Sequence, residues 1–135
     1  MGSMWVRRAG WGLTGIFVLF MALDIAIKII DLPVVDQTML QLGWPAGYGR
    51  LIGGIELVCV ALYLVRPTSV LGAVLMTGLL GGAIATHVRV HDPLFSHILF
   101  GVYLGLFMWG GLWCRSARLR AVFPIGAGEG PAATD

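Results

Sequence analysis

The chain of 135 residues is strongly apolar, with 58% hydrophobic residues, 12% charged residues and a mean hydropathy of +0.87. A soluble domain of this size exposes too much surface to carry so few charges, so the composition excludes an ordinary water-soluble protein and indicates a bilayer protein. The net charge of +2 comes without a basic patch interleaved with aromatic residues, which argues against a nucleic-acid-binding protein.

Four stretches are apolar enough, and about long enough, to cross a membrane as helices: residues 9–30, 49–65, 69–87 and 94–114. They predict an all-α protein with one four-transmembrane-helix bundle over residues 4–123. Residues 1–3, which precede a second methionine, resemble a vector-derived addition. Residues 124–135 are rich in Gly, Ala and Pro and are expected to be disordered, because they have little apolar surface to bury.

The basic residues are distributed unequally between the two sides of such a bundle. Cytoplasmic loops are enriched in Lys and Arg, so the side with more of them is predicted to be cytoplasmic. This rule places both termini in the cytoplasm, in a plasma or inner membrane. The terminal side carries Arg7, Arg8, Arg66, Arg115, Arg118 and Arg120, and the opposite side carries Lys28, Arg50 and Arg89.

The connection between the first two spans, residues 31–48, is the longest in the chain. Within it, Asp36 is a candidate N-cap, and Gly43 and Pro45 are stop signals. This pattern predicts a short interfacial helix in the first outer loop, with a plain loop as the alternative. Glycines four residues apart, at Gly78 and Gly82 and again at 101 and 105, are typical of helices that approach closely in membranes.

Ionisable residues interrupt all four apolar stretches, although a charge in hydrocarbon costs about 2.5 kcal/mol or more. Asp24 lies six residues before the outer end of the first helix and Glu56 six residues after Arg50, so a rise of about 1.5 Å per residue puts both about 9 Å deep. We therefore expect a polar pocket in the outer half of the bundle. The predicted catalytic residues are Glu56, Asp24, Lys28 and His87, and the predicted substrate-binding residues are His97, Arg50 and Trp44.

Each of these residues also has a purely structural interpretation. Lys28 can snorkel to the interface or form a packing pair with Asp24 at i, i+4, and His87 can cap its helix. Glu56 has no cationic neighbour at helical spacing on its own helix, so it needs a partner elsewhere or a bound proton. His97 can also snorkel.

Metal and thiol chemistry are less favoured by the sequence. The histidines at 87, 91 and 97, with Asp92, could ligate a metal, but the Asp92-Pro93 pair predicts that the helix ends before His91. No metal is therefore predicted. The two cysteines form no CxxC motif, which argues against a thiol–disulfide mechanism.

Several segments resemble the DoxX-like family of small four-helix membrane proteins. They are Lys28 late in the first helix, LQLGWP at 40–45, RLIGGIELVCVALYLVRP at 50–67 and GGAIATHVRVHDP at 81–93. The resemblance covers residues 10 to about 113. It implies a link to redox complexes, because relatives include small subunits of a thiosulfate–quinone oxidoreductase and membrane partners of soluble oxidoreductases. Lys28, Glu56 and His87 match the polar pattern of the family.

Three functions follow from these observations. The first is a membrane enzyme that uses acid/base chemistry, such as isomerisation, hydrolysis or proton transfer, on a lipophilic small molecule without a cofactor. The second is a quinone-binding subunit that docks a soluble oxidoreductase through Arg115, Arg118 and Arg120. The third is a small proton-coupled exporter. The expected partners are the lipid bilayer, the lipophilic molecule, that oxidoreductase and a second copy of the chain, but no nucleic acid.

Overall fold

The computed structural model describes residues 2–125, and within this range the chain is helical without any strand. The helices are α1 (Gly2–Ile30), α2 (Pro33–Gln41), α3 (Tyr48–Leu64), α4 (Ser69–Arg89), α5 (Phe100–Arg115) and α6 (Ala117–Val122). A 3₁₀ turn, Arg66–Thr68, precedes α4, and a π-helical turn, Leu94–Ile98, precedes α5. The all-α prediction is confirmed, whereas most of the tail expected to be disordered lies outside the described residues.

The four long helices pack side by side in the order α1, α3, α4, α5, and α5 closes the ring against α1. Neighbours run antiparallel: Gly10 of α1 meets Cys114 of α5, for example, whereas Phe20 meets Phe100. The bundle thus has one end formed by α2 and the π-helical turn, here called the α2 end. The opposite end, with the N-terminus and α6, is called the α6 end.

The core of the bundle is a continuous apolar column, and its outer surface is apolar as well. Fully buried side chains from all four long helices meet in the column: Phe17, Met21, Tyr63, Met76 and Met108. Large aliphatic side chains on the outer faces are more than half exposed, among them Leu19, Leu57, Leu71 and Leu106. Helices that are apolar on every side are typical of membrane proteins, because lipid covers the outer face.

Within residues 2–125, three helical stretches are long and apolar enough to cross a membrane: Gly2–Ile30, Arg66–Arg89 and Leu94–Arg115. Helix α3 has 17 residues, which correspond to a length of about 25 Å. It therefore lies at the lower limit for a spanning helix. The bounds of α3 and α5 match the predicted segments to within about one residue, apart from the π-helical turn that opens the fourth segment.

Helix α1 begins earlier than the hydropathy of the sequence indicates. The prediction started it at residue 9, whereas the helix already includes Gly2 and Ser3. No proline interrupts residues 2–8. Arg8 also lies over the ring of Trp5, with 5.7 Å between its guanidinium carbon and the ring centroid. Hydropathy marks the apolar part of a helix, and a polar first turn can extend beyond it.

The short helix predicted in the first connection is confirmed as α2, but its start was wrongly assigned to Asp36. The helix begins at Pro33, whose fixed φ suits the first helical position, and Asp36 falls inside its first turn. The Asp36 carboxylate instead accepts a hydrogen bond from the backbone N–H of Gly47, at 3.0 Å. Arg89 at the end of α4 donates to the carbonyl oxygen of Leu42 and so ties the C-terminus of α2 to the bundle.

Glycines do permit close helix contacts, but largely not the ones that their spacing predicted. A Cβ added at Gly72 would lie 2.8 Å from the carbonyl oxygen of Cys59, so α3 and α4 touch backbone to backbone there. Among the predicted glycines, Gly101 does pack closely, against Ile84. By contrast, Gly78, Gly82 and Gly105 have no atom within 4 Å of an added Cβ, so their spacing does not mark a close contact.

Candidate functional site

The ionisable residues of α1 and α3 form one cluster centred on Lys28. Its Nζ donates to Oδ2 of Asp24 at 2.5 Å and to Oε1 of Glu56 at 2.6 Å. Asp24 and Lys28 share a face of α1 because they are one turn apart. Glu56 reaches them from α3 because Gly53 leaves room for the Lys28 side chain between the two helices. The partner that Glu56 lacked on its own helix is therefore Lys28.

The cluster is largely withdrawn from the surface of the protein. The exposed fractions of the side chains are 7% for Glu56, 13% for Lys28 and 26% for Asp24. The second carboxylate oxygen of Glu56, Oε2, is buried and has no hydrogen-bond partner among residues 2–125. A buried acceptor without a partner costs about 1–3 kcal/mol, which makes this oxygen ready to accept a hydrogen bond from a bound molecule.

A cavity of about 170 Å³ lies beside this cluster, between the four long helices. Its polar lining comprises the three clustered side chains together with His87 and His97. Its remaining walls are apolar and come from α1, α4 and α5: Phe20, Met21, Leu80, Ala83, Ile84, Phe100, Gly101 and Leu104. The chain thus surrounds a few ionisable groups with hydrocarbon, which strengthens electrostatic interactions inside the cavity.

The two cavity histidines come from the facing ends of α4 and the π-helical turn. Their rings lie edge to face, with 5.8 Å between centroids. Nδ1 of His87 lies 2.5 Å from Oδ2 of Asp92, and Nδ1 of His97 lies 2.7 Å from Oγ of Ser96. Because a carboxylate only accepts, Nδ1 of His87 carries the hydrogen, and Nε2 is left free to accept when the ring is neutral. This orientation was not predicted, since Asp92 was considered only as a metal ligand.

Two predicted substrate-binding residues do not reach the cavity. Arg50 projects beside α4 on the outside of the bundle, where its Nε lies 3.6 Å from Oδ2 of Asp31. Trp44 packs against Tyr48, with 6.0 Å between ring centroids. Depth in a membrane does not specify direction around a helix, and α2 packs this connection against α3, so a substrate-binding role for these two residues stays a prediction.

The aromatic wall of the cavity was not predicted from the sequence. Phe20 and Phe100 pack edge to face with 4.9 Å between ring centroids, at the contact between α1 and α5. Phe20 precedes Asp24 by one helical turn, so its spacing to Asp24 and Lys28 was a usable signal. No comparable signal marked Phe100, because the helix around it is apolar on all sides.

The site combines two carboxylates, one ammonium group and the imidazole of His87 within apolar walls, and the exposed His97 contributes a second imidazole to the lining. These groups can accept and donate protons, and they can polarise an oxygen atom of a bound molecule. Within residues 2–125, no group of three or more His, Cys, Asp or Glu side chains is arranged to hold a metal ion.

Comparison with known proteins assigns the chain to a family. Residues 12–111 match the model of the DoxX-like family, which covers the cavity and all but the ends of the bundle. Searches of curated proteins and of solved structures give no match. Together, the extent of this match and the apolar helices identify a membrane protein, and the chain belongs to the DoxX-like family.

Proposed function

We propose that this protein is a membrane-embedded enzyme that performs acid/base chemistry on a lipophilic small molecule. The observation that carries the proposal is the cavity, where ionisable side chains from all four sides of the bundle meet inside apolar walls. Charged residues inside membrane helices are costly and usually functional. A purely structural role as ion-pair partners accounts for Asp24, Lys28 and Glu56. It does not account for the buried Oε2 of Glu56, which has no hydrogen-bond partner within residues 2–125, or for the two histidines beside an open cavity.

The proposal includes four membrane crossings with both termini in the cytoplasm. Helix α3 is short, but its outward face carries Leu57 and Val58, which are as exposed as the outward residues of the longer helices. Its 17 residues fall within the range for spanning helices. Four crossings place both termini on one side, and the surplus of arginines there assigns that side to the cytoplasm of a plasma or inner membrane.

The size of the cavity limits which part of a substrate can enter. About 170 Å³ is below the range of about 300–1,000 Å³ that is usual for whole-ligand pockets. Only a small reacting group therefore fits, and a longer apolar part has to remain in the bilayer. Phe20 and Phe100 are 37% and 38% exposed on the lipid-facing side, so the contact between them is the proposed entry route.

The proposed roles follow from the contacts of each residue. Glu56 is the proton acceptor, because its Oε2 has no other hydrogen-bond partner within residues 2–125. Asp24 exchanges protons with Glu56 through Lys28, which donates to both carboxylates. Lys28 and Nε2 of His87 face the substrate oxygen and hydrogen-bond to it. Isomerisation by proton transfer and hydrolysis of an epoxide or a lactone are the reactions that suit these groups.

The test uses the purified protein in lipid nanodiscs, incubated with a nonpolar extract of the producing cells in D₂O or in H₂¹⁸O. An isomerase incorporates deuterium from solvent into one lipophilic compound, and a hydrolase incorporates ¹⁸O. We expect Glu56→Gln to abolish the incorporation. The matched control is Asp36→Asn, because an asparagine oxygen still accepts the hydrogen bond from Gly47. Incorporation that is absent, or that is equal in the wild type and in Glu56→Gln, contradicts the proposal.

The alternative role as a quinone-binding subunit is less well supported. It requires Arg115, Arg118 and Arg120 to form a docking surface at the α6 end. Arg115 instead lies between the rings of Trp11 and Tyr63, and Arg120 donates to the last carbonyl groups of α5. Of the three, only Arg118 is exposed, whereas Arg115 and Arg120 are partly buried. Co-purification of a soluble oxidoreductase that is lost in Arg118→Gln would favour this alternative.

A further inference from the structure

A second concave feature lies on the outside of the bundle, between α3 and α4. The two helices touch at Gly72 and separate towards the α2 end, where they leave a groove of about 710 Å³. Its walls are almost entirely aliphatic, and it shares no lining residue with the cavity. The wall residues are Leu51, Ile55, Val58, Cys59, Leu75 and Leu79.

The floor of the groove is made by two glycines. A Cβ added at Gly54 or at Gly78 meets no atom within 4 Å, so neither glycine is needed for contact between the helices. Their missing side chains instead leave open space between the wall residues. An open groove with aliphatic walls that faces the bilayer matches a hydrocarbon chain in polarity.

Arg50 is the one cation among the residues that line the groove. Its side chain is 62% exposed, and its Nε lies 3.6 Å from Oδ2 of Asp31. Because a guanidinium group has five N–H donors, so exposed a side chain can pair with a second anion. A guanidinium group with a free pair of donors binds phosphate in a bidentate manner.

We propose that the groove binds one acyl chain of a glycerophospholipid whose phosphate lies against Arg50. A second copy of the chain fits less well, because two concave grooves cannot fill each other. A symmetric contact would also place the two positively charged Arg50 side chains at the same depth, where they repel each other. This site is independent of the proposed function, because the groove and the cavity share no lining residue.

The test uses phosphatidylglycerol with a diazirine in one acyl chain, present as a minor component of phosphatidylcholine nanodiscs that hold the full-length protein. After photolysis, mass spectrometry locates the cross-linked residues. We expect them on the groove walls of α3 and α4. Gly78→Leu fills the floor of the groove and lowers the cross-linking yield about tenfold. This is the effect expected when about two methylene groups of the acyl chain can no longer be buried. Gly82→Leu is the control, because Gly82 has equal space on the same helix but lies outside the groove.

Two further variants keep the test decisive if Gly78→Leu does not fold. Gly54→Leu fills the same floor from α3, and Arg50→Gln removes the phosphate contact, with an expected loss of about tenfold for a charged hydrogen bond. Cross-links spread evenly around the bundle, or equal yields in Gly82→Leu and the groove variants, overturn the proposal. An unchanged yield in Arg50→Gln also overturns it. A dimer in native mass spectra that disappears in the groove variants assigns the groove to a second copy instead.

Discussion

Replacement of Lys28 by methionine removes the only cation from a cluster that holds two carboxylates. At 2.6 Å and an effective dielectric constant of about 20, each ion pair attracts by about 6 kcal/mol. Most of this attraction is offset by the cost of withdrawing the charges from water. The net loss on removal of one partner from a buried pair is about 3–5 kcal/mol, and we expect Lys28→Met to destabilise the protein by this amount.

The decisive quantity is the coupling free energy between Lys28 and Glu56, not the loss of stability in Lys28→Met alone. Glu56→Gln keeps the Asp24–Lys28 pair and an acceptor for Lys28, so its expected cost is about 1–2 kcal/mol. In Lys28→Met, the carboxylates of Asp24 and Glu56 are left without a cation between them. Addition of Glu56→Gln then removes one of the two negative charges. The double variant should therefore be more stable than Lys28→Met alone.

The free energies of unfolding are measured by titration with SDS in mixed micelles, followed by circular dichroism. Arg118→Met serves as the control, because an exposed arginine outside the cluster should change stability by no more than about 0.5 kcal/mol. Additive losses in the double variant, or a Lys28→Met protein as stable as the wild type, would refute the assignment of Lys28 as the shared counter-ion of both acids.

Two further predictions concern the packing around the site. Gly72→Ala should cost about 1–3 kcal/mol in the same titration, because the new Cβ meets backbone of α3 that cannot yield, whereas Gly82→Ala has open space and should be neutral or slightly stabilising. Equal stability of these two variants would contradict the close contact of α3 with α4. Arg89→Ala should raise hydrogen exchange in α2 about tenfold, because the C-terminus of that helix loses its bond to the bundle. Exchange in α2 that stays as slow as in the wild type would show that Arg89 does not hold this helix.

The helices and the depth of the polar residues could be predicted from the sequence. Hydropathy, Pro67 and the Asp92-Pro93 pair are local signals, and they placed most helix ends within about two residues. The constant rise of a helix brought Asp24 and Glu56 to the same level before any packing was known. In the structure, the carboxylates of Asp24 and Glu56 both accept hydrogen bonds from Lys28, so these two residues of equal level do lie together.

Direction around each helix could not be predicted in the same way. Arg50 has the appropriate depth for the cavity yet faces the outer groove, and Gly78 has the spacing of a contact glycine yet lies open. Phe100 lines the cavity although nothing in its neighbourhood distinguishes it. The sequence by itself determined which segments are helical, where most of them end and which charged residues share a level along the bundle, because these properties depend on neighbours along the chain. Only the tertiary structure decided which side of each helix faces inward, because helices that are apolar all round carry no amphipathic pattern to mark that side.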